Sequence, residues 1–501
     1  MLEGRKHLWL AALLLLTLVL QGAAATQKSF WEDEAFTAMV IQSSPGEVIR
    51  RMARDNHPPL YFVGAHFGAR LFGDSEPGVR LLSVLFAVLT VLLVYRLAAD
   101  LFDARTGLTA ATLLALSPLF LTYAHNARYY SLSAFLSLGA ALATYHYHRT
   151  RRLLFLALYI LAGVALLYSA YTTAAILLAC FVWGVAQWRS QRDSFGQLAL
   201  WTVAQLGAPL LFLPWLVTFQ SVIARNADSA PAFSLMEVAK RVGYLGYGYS
   251  VGETLSPINP IALLGIFLTI ALLTIALLRG GRRFTVWLPI LFIAIVGATS
   301  IIINMVTLYP QNAFQALPYR TLYLFPFFVM LLAYGVSQLR GRTALVVVGL
   351  LLAVYGAGIF NYFTNREFMR PFLAVPWNRI FSTIQAEAAP DALVVCSIGD
   401  DTCMYYIERY GFEPRTSLEA LELAERNPSE VWWIQSNLGR RTPNMERESD
   451  ILETIRGQYQ NSEVTNYAPH DASVRRVKAA LSPQESYEYR VSLYRLTQPV
   501  E

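Results

Sequence analysis

The sequence predicts a mainly α-helical, polytopic membrane protein of about eleven transmembrane helices, followed by a C-terminal soluble α/β domain. Three observations carry this. Of 501 residues, 55% are hydrophobic and only 15% charged, against roughly 25% charged in a soluble protein. Long apolar runs fill residues 8 to 360, and most of the carboxylates lie in the last third. Arginines cluster in the short connections between apolar runs, where they orient helices, so the net charge of +6 is not a nucleic-acid signal.

Arg5 and Lys6, then LWLAALLLLTLVL and GAAAT, suit a cleavable signal peptide or a retained first helix. Both send the chain outward after Ala25. Further spans are expected near 79–98, 107–124, 129–147, 153–170, 171–187, 197–219, 259–278, 284–307, 319–338 and 343–362. Leu60–Phe72 is short and flanked or interrupted by His57, His66 and Arg70. If it does not span, Arg96 and Arg105, Arg149, Arg151 and Arg152, Arg189 and Arg192, Arg279, Arg282 and Arg283, and Arg340 and Arg342 all fall on the cytoplasmic side. It is therefore expected to lie along the membrane surface or re-enter. The N-terminus is then cytoplasmic and the C-terminal domain extracytoplasmic, in a multi-pass protein of the plasma (inner) membrane. The predicted domains are 1–364, with 27–78 as a first outer loop carrying interfacial helices, and 365–501.

Ser44-Pro45-Gly46-Glu47 has the form of a capping box with proline at the first helical position. The helix it opens is amphipathic and suits either a bilayer surface or the protein's own. In the tail, 392–399, 431–436 and 489–496 read as strands, with helices near 377–388, 402–410 and 416–426. Cys396 and Cys403 are near neighbours, and whether they bridge stays open. Cys180 reads as a packing residue.

Five features carry candidate chemistry. WEDEAFTAMV places Asp33 and Glu34 just after the first helix, where a carboxylate suits a general base or belongs to an ordinary acidic loop. His57 precedes Pro58 and Pro59, which fix an extended backbone and pose the imidazole for a phosphate or sugar hydroxyl; a structural turn residue is the plainer reading. In HNARYY, His125, Asn126, Arg128 and Tyr129 lie where two spans meet outside, and Arg320 in PYRTLYLFP opens an inward-going span. These two arginines break the general asymmetry. Each presents a planar donor fork that suits a phosphate, although lipid headgroups would satisfy it too. The long loop from about 220 to 259 carries Tyr244, Tyr247 and Tyr249, which suit sugar stacking or the interfacial aromatic belt.

Taken in order, WEDEAFT, NHPPLYF, SEPGVRLLSVLFAVLTVLLVYRLAADLFDARTGLTAATLLALSPLFLTYAHNARYYSL and PYRTLYLFP closely resemble the polyprenyl-phosphate-sugar-dependent glycosyltransferases of the GT-C fold. The branch most similar holds the protein O-mannosyltransferases and the lipid A aminoarabinose transferase. The resemblance is strong over about residues 30–150 and continues by pattern to about 365. It implies a retained first helix and a GT-C-like membrane domain. It also implies an inverting transfer of sugar from a lipid-phosphate donor to a hydroxyl acceptor on protein, lipid or polysaccharide. Asp33 would be the base, with Glu34 supporting it or binding acceptor. Arg128 and Arg320, joined by His57, would hold the donor phosphate, and Asn126, Tyr129 and Tyr247 are possible substrate contacts. No cofactor or divalent metal is implied. The alternative is a non-catalytic transporter or flippase of lipid-linked glycans, which predicts charges well inside several spans. The charges here gather at the outer ends instead, which favours surface chemistry.

Overall fold

The computed structural model describes residues 2–192, 194–226, 234–281, 283–307, 313–424, 428–436, 443–467, 471–481 and 491–499. The chain divides into two compact units. One comprises residues 1–25 and 43–364, the other 26–42 and 365–501.

The first unit is helical. The eleven expected stretches are helical over most of their length. Among the described residues, however, seven helices are long and apolar enough to cross a membrane, or eight if one bent pair counts as a span. The lower number has a physical reason. Leu153–Leu167 and Phe325–Ser337 are only 15 and 13 residues long, short of the roughly 20 that a bilayer core demands. Tyr130–Thr150 is long enough, but its last turns carry His146, His148 and Arg149. The long helices expose leucine, isoleucine, valine and phenylalanine, as at Leu210, Leu211, Leu213 and Val217 or Leu263, Phe267 and Ile270. In water such a surface would be a liability; in lipid it is the natural face.

The bent pair is Ala104–Ala115 and Pro118–Ala124, which meet at 61°. Pro118 lacks the N–H that would continue the ladder, and Ser117 caps the new helix by accepting from the Phe120 amide. That bend delivers the chain to the turn at 125–129. Leu60–Phe72 forms a 13-residue helix, about 20 Å long and too short to span.

The helix Pro45–Arg54 starts at Pro45 as expected. The capping box does not form: Ser44 makes no side-chain capping bond. Glu47 instead pairs with Arg50 and Arg51, an alternative open to a carboxylate three and four residues before two cations. Val48 and Met52 are fully buried, and the helix packs on Leu60–Phe72. Its apolar face therefore covers its own protein. The expected tyrosine loop is also largely helical. Leu235–Val251 is one helix, capped by Ser234 accepting from the Glu237 amide at 3.1 Å, and Tyr244, Tyr247 and Tyr249 are buried along it. The expected interfacial belt gives way here to interior packing. Residues 227–233 of that stretch lie outside the described residues.

The second unit joins the helix Glu32–Ile41 to the tail. Trp31 stacks on Phe372 with centroids 5.4 Å apart. The Phe30 amide donates to the Tyr406 hydroxyl at 2.8 Å, and the Asn378 amide to Ser29 Oγ at 3.1 Å. The sheet comprises β1 (Leu393–Cys396), β2 (Glu430–Ser436), β3 (Tyr459–Tyr467) and β4 (Val491–Pro499), in the order β1-β2-β4-β3. β1 and β2 are parallel, and the other two pairings antiparallel. Val395, Val431, Trp433, Ile455 and Leu496 form its core. Cys396 and Cys403 are disulfide-bonded.

Asp400 caps the helix Asp401–Arg409, accepting from the Thr402 and Cys403 amides at 3.1 and 3.0 Å. Full burial pushes its carboxyl up to about 6, overriding those bonds. A folded value above the unfolded one means the folded state holds the proton more tightly. Its stabilising effect is complete below about pH 4 and lost as pH rises to about 6, at a cost of about 3 kcal/mol. Asp400→Asn keeps a capping oxygen without the charge. The full-length variant in detergent should unfold at a higher temperature than wild type at pH 8 and at nearly the same temperature at pH 4. An equal Tm at both pH values contradicts this.

Candidate active site

His57 is the centre of the best-defined polar cluster. It follows the helix Pro45–Arg54 and precedes Pro58-Pro59, after which Leu60–Phe72 begins. Arg128 Nη2 lies 2.9 Å from His57 Nε2, and Asp55 Oδ1 lies 2.6 Å from His57 Nδ1. A guanidinium only donates, so Nε2 accepts, and the ring proton belongs on Nδ1, facing Asp55. Burial alone would raise the Asp55 carboxyl. The hydrogen bond from His57, the charge of Arg128 and the backbone hydrogen bond from Asn56 outweigh it and hold the group below its ordinary value. The triad thus presents an ionised carboxylate, an oriented imidazole and a fixed guanidinium.

Arg128 is 2% exposed. It lies in the tight turn between Pro118–Ala124 and Tyr130–Thr150, where its amide donates to the Asn126 carbonyl at 2.6 Å. Its guanidinium carbon also sits 5.4 Å from the Phe62 ring centroid, a cation–π contact that adds orientation at little entropic cost. His125 is tied to the Leu121 carbonyl and the Tyr362 hydroxyl. Asn126 is buried in the same turn.

Aromatic rings connect this cluster to Arg320. Tyr129 lies 6.0 Å from His57 and 4.9 Å from Tyr130. Tyr130 packs on Tyr319 at 5.4 Å, and Tyr319 stacks on Tyr123 at 5.1 Å. Arg320 lies 5.9 Å from the ring of its neighbour Tyr319. The structure therefore brings His57, Arg128 and Tyr129 together, and links them through two further tyrosines to Arg320. Tyr247 donates its hydroxyl to the Leu255 carbonyl and packs its ring on Tyr244. Sequence reasoning missed Asp55, Tyr319 and Tyr123. Asp55 had a signal: an acid two residues before a histidine that prolines hold in place.

Asp33 and Glu34 belong to the second unit. They occupy the first turn of Glu32–Ile41, where three successive acids complement the helix dipole. Asp33 is half-buried and Glu34 fully buried. The Asp33 carbonyl accepts from Thr37 Oγ1 at 2.9 Å. Among the described residues, no group of three or more histidine, cysteine, aspartate or glutamate side chains is arranged to hold a metal ion.

Residues 56–217 match the family described as dolichyl-phosphate-mannose-protein mannosyltransferase. That stretch contains His57, Asn126, Arg128 and Tyr129. No curated protein sequence matches the chain. Among solved structures, the chain is similar to ArnT from Cupriavidus metallidurans bound to undecaprenyl phosphate, with a TM-score of 0.56, 12% identity, and 97% of this chain and 98% of that one covered. ArnT from the same organism in the apo state gives 0.54 and 13%, with 97% of both chains covered. The Archaeoglobus fulgidus oligosaccharyltransferase in the apo form gives 0.50 and 11%, covering 85% of this chain and 69% of that one. Identities this low show a shared fold, and the fold is GT-C. The family match covers about a third of the chain, and the shared fold is that of polytopic membrane glycosyltransferases of the GT-C class.

Proposed function

We propose that the chain transfers a sugar from a polyprenyl-phosphate donor to a hydroxyl acceptor, inverting the anomeric centre, on the outer face of the membrane. The observation that carries the donor chemistry is the Arg128–His57–Asp55 triad. Displacing a lipid phosphate from an anomeric carbon develops charge on the leaving oxygen. A guanidinium already oriented on two sides stabilises that charge without reorganising. Arg320, at the other end of the tyrosine run, supplies a second cation. The similar ArnT chain bound to undecaprenyl phosphate supports a phosphate-bearing polyprenyl donor.

In the reaction, the acceptor oxygen forms a bond to the anomeric carbon on the face opposite the phosphate. The carbon–oxygen bond to phosphate breaks, and polyprenyl phosphate leaves with its electron pair. The acceptor proton passes to Asp33, the role its resemblance to the family implies, and Glu34 supports it. One displacement inverts the centre. Because arginines neutralise the leaving group, no divalent ion takes part.

Purified protein should transfer label from a polyprenyl-phosphate sugar to an acceptor in a membrane extract, with inverted configuration by NMR. The rate should be unchanged after EDTA dialysis. Retained configuration rejects single displacement, and loss of rate restored by a divalent ion rejects the metal-free mechanism. The arginine clusters and the Cys396–Cys403 disulfide support a cytoplasmic N-terminus and an exported tail. A C-terminal alkaline phosphatase fusion should be active; an inactive fusion reverses the orientation.

A further inference from the structure

Behind the tyrosine run lies a carboxylate that the proposed reaction leaves unused. Glu253 is 1% exposed, in a unit whose helices span a membrane. Burying an acid is costly unless its oxygens are hydrogen-bonded. Each of its oxygens accepts one phenol: Tyr123 donates to Oε2 and Tyr244 to Oε1, both at 2.5 Å. The carboxylate thereby ties the helix Pro118–Ala124 to the helix Leu235–Val251.

The backbone is built to deliver it. Gly252 has φ +81°, and a Cβ there would meet Pro118 Cβ at 2.8 Å and the Leu119 amide nitrogen at 3.0 Å. Only glycine lets the chain turn so close to the bend that precedes Tyr123. Residues 251–256 are all buried. Thr254 is held from both sides, its hydroxyl donating to the Gly358 carbonyl and its carbonyl accepting from Asn361, each at 2.8 Å. Glu253 therefore sits on a rigid strap.

We propose that Glu253 is a positioning residue: through Tyr123 it fixes Tyr319, and so the aromatic wall that separates Arg128 from Arg320 and against which the donor's phosphosugar is held. Tyr123 stacks on Tyr319 at an interplanar angle of 27°, and Tyr319 carries Arg320 beside it. An aromatic ring whose hydroxyl is anchored cannot rotate or slide away from its stacking partner. The wall is thus set before the donor arrives, which lowers the cost of binding. This inference rests on the donor reading above.

The test is steady-state kinetics with a labelled polyprenyl-phosphate sugar on wild type, Glu253→Ala, Glu253→Gln and Tyr123→Phe, with thermal unfolding of each in detergent. Glu253→Ala removes the acceptor of two buried phenols and should raise the donor KM about ten-fold with kcat changed less than about three-fold. Glu253→Gln, whose amide oxygen still accepts one phenol, should restore most of that loss. Tyr123→Phe keeps the ring but loses the bond and should raise the donor KM in the same direction. A donor KM equal to wild type in both Glu253→Ala and Tyr123→Phe overturns the inference, as does a fall in kcat with no change in KM. Should Glu253→Ala fail to fold, Tyr123→Phe decides alone. Wild type that neither binds nor turns over the donor removes the donor reading, and this inference with it; wild-type turnover with indifferent variants removes the inference only.

Discussion

Arg128→Ala should lower kcat/KM for the lipid-phosphate donor by about a thousand-fold, the scale seen when a preorganised donor to a developing anion is lost. Arg128 is buried, hydrogen-bonded to His57 and set over Phe62, so its guanidinium is fixed before any phosphate approaches. Alanine removes the charge and leaves His57 Nε2 without that donor. Arg128→Lys keeps a charge but loses the planar fork. It should recover only part of the activity, because an ammonium cannot hold both His57 and a phosphate oxygen in the same geometry. His57→Ala should fall between wild type and Arg128→Ala, since it frees the guanidinium to rotate without removing it. Unaltered thermal unfolding separates these effects from misfolding. Near-wild-type transfer by Arg128→Ala would leave the phosphate assignment without support.

Asp33→Asn should lower kcat by about a thousand-fold while leaving the donor KM within a few-fold of wild type. A positioned general base contributes about a hundred- to ten-thousand-fold, and the amide matches the carboxylate in shape but takes no proton. Glu34→Gln should cost less, because Glu34 supports the base or binds acceptor. The two substitutions therefore separate by kind: loss in kcat at Asp33, and loss in acceptor KM or a smaller loss in kcat at Glu34. Equal transfer by wild type and Asp33→Asn removes Asp33 as the base.

The parts of this architecture written in hydrophobic period were legible in the sequence. Apolar runs, arginine clusters and the gathering of carboxylates in the last third foretold the helical unit and an α/β tail, and three of the four strands described lie close to their expected places. β3 was missed because YQNSEVTNY is polar and mostly exposed. Its strand character comes from pairing with β4, and no apolar alternation announces it. Fewer helices than the expected spans are both long and apolar among the described residues, because length and polarity act together. Tyr130–Thr150 has the length without the apolarity, and Phe325–Ser337 the reverse.

At the site, His57, Arg128 and Tyr129 were identified as separate motifs, and their meeting is tertiary information. Ser44 shows the limit of a local motif: its capping partner Glu47 had two arginines within reach and took them. Glu253 carried a signal that went unused, an acid shortly before a long apolar stretch. Without Tyr123 and Tyr244 beside it, nothing in the sequence said what it would hold.

The most direct measurement is equilibrium binding of undecaprenyl phosphate and of uncharged undecaprenol to wild type and to Arg128→Ala in the same detergent. The account predicts that wild type prefers the phosphate, and that the variant loses most of this preference while binding undecaprenol unchanged. A variant that keeps the full wild-type preference would contradict it.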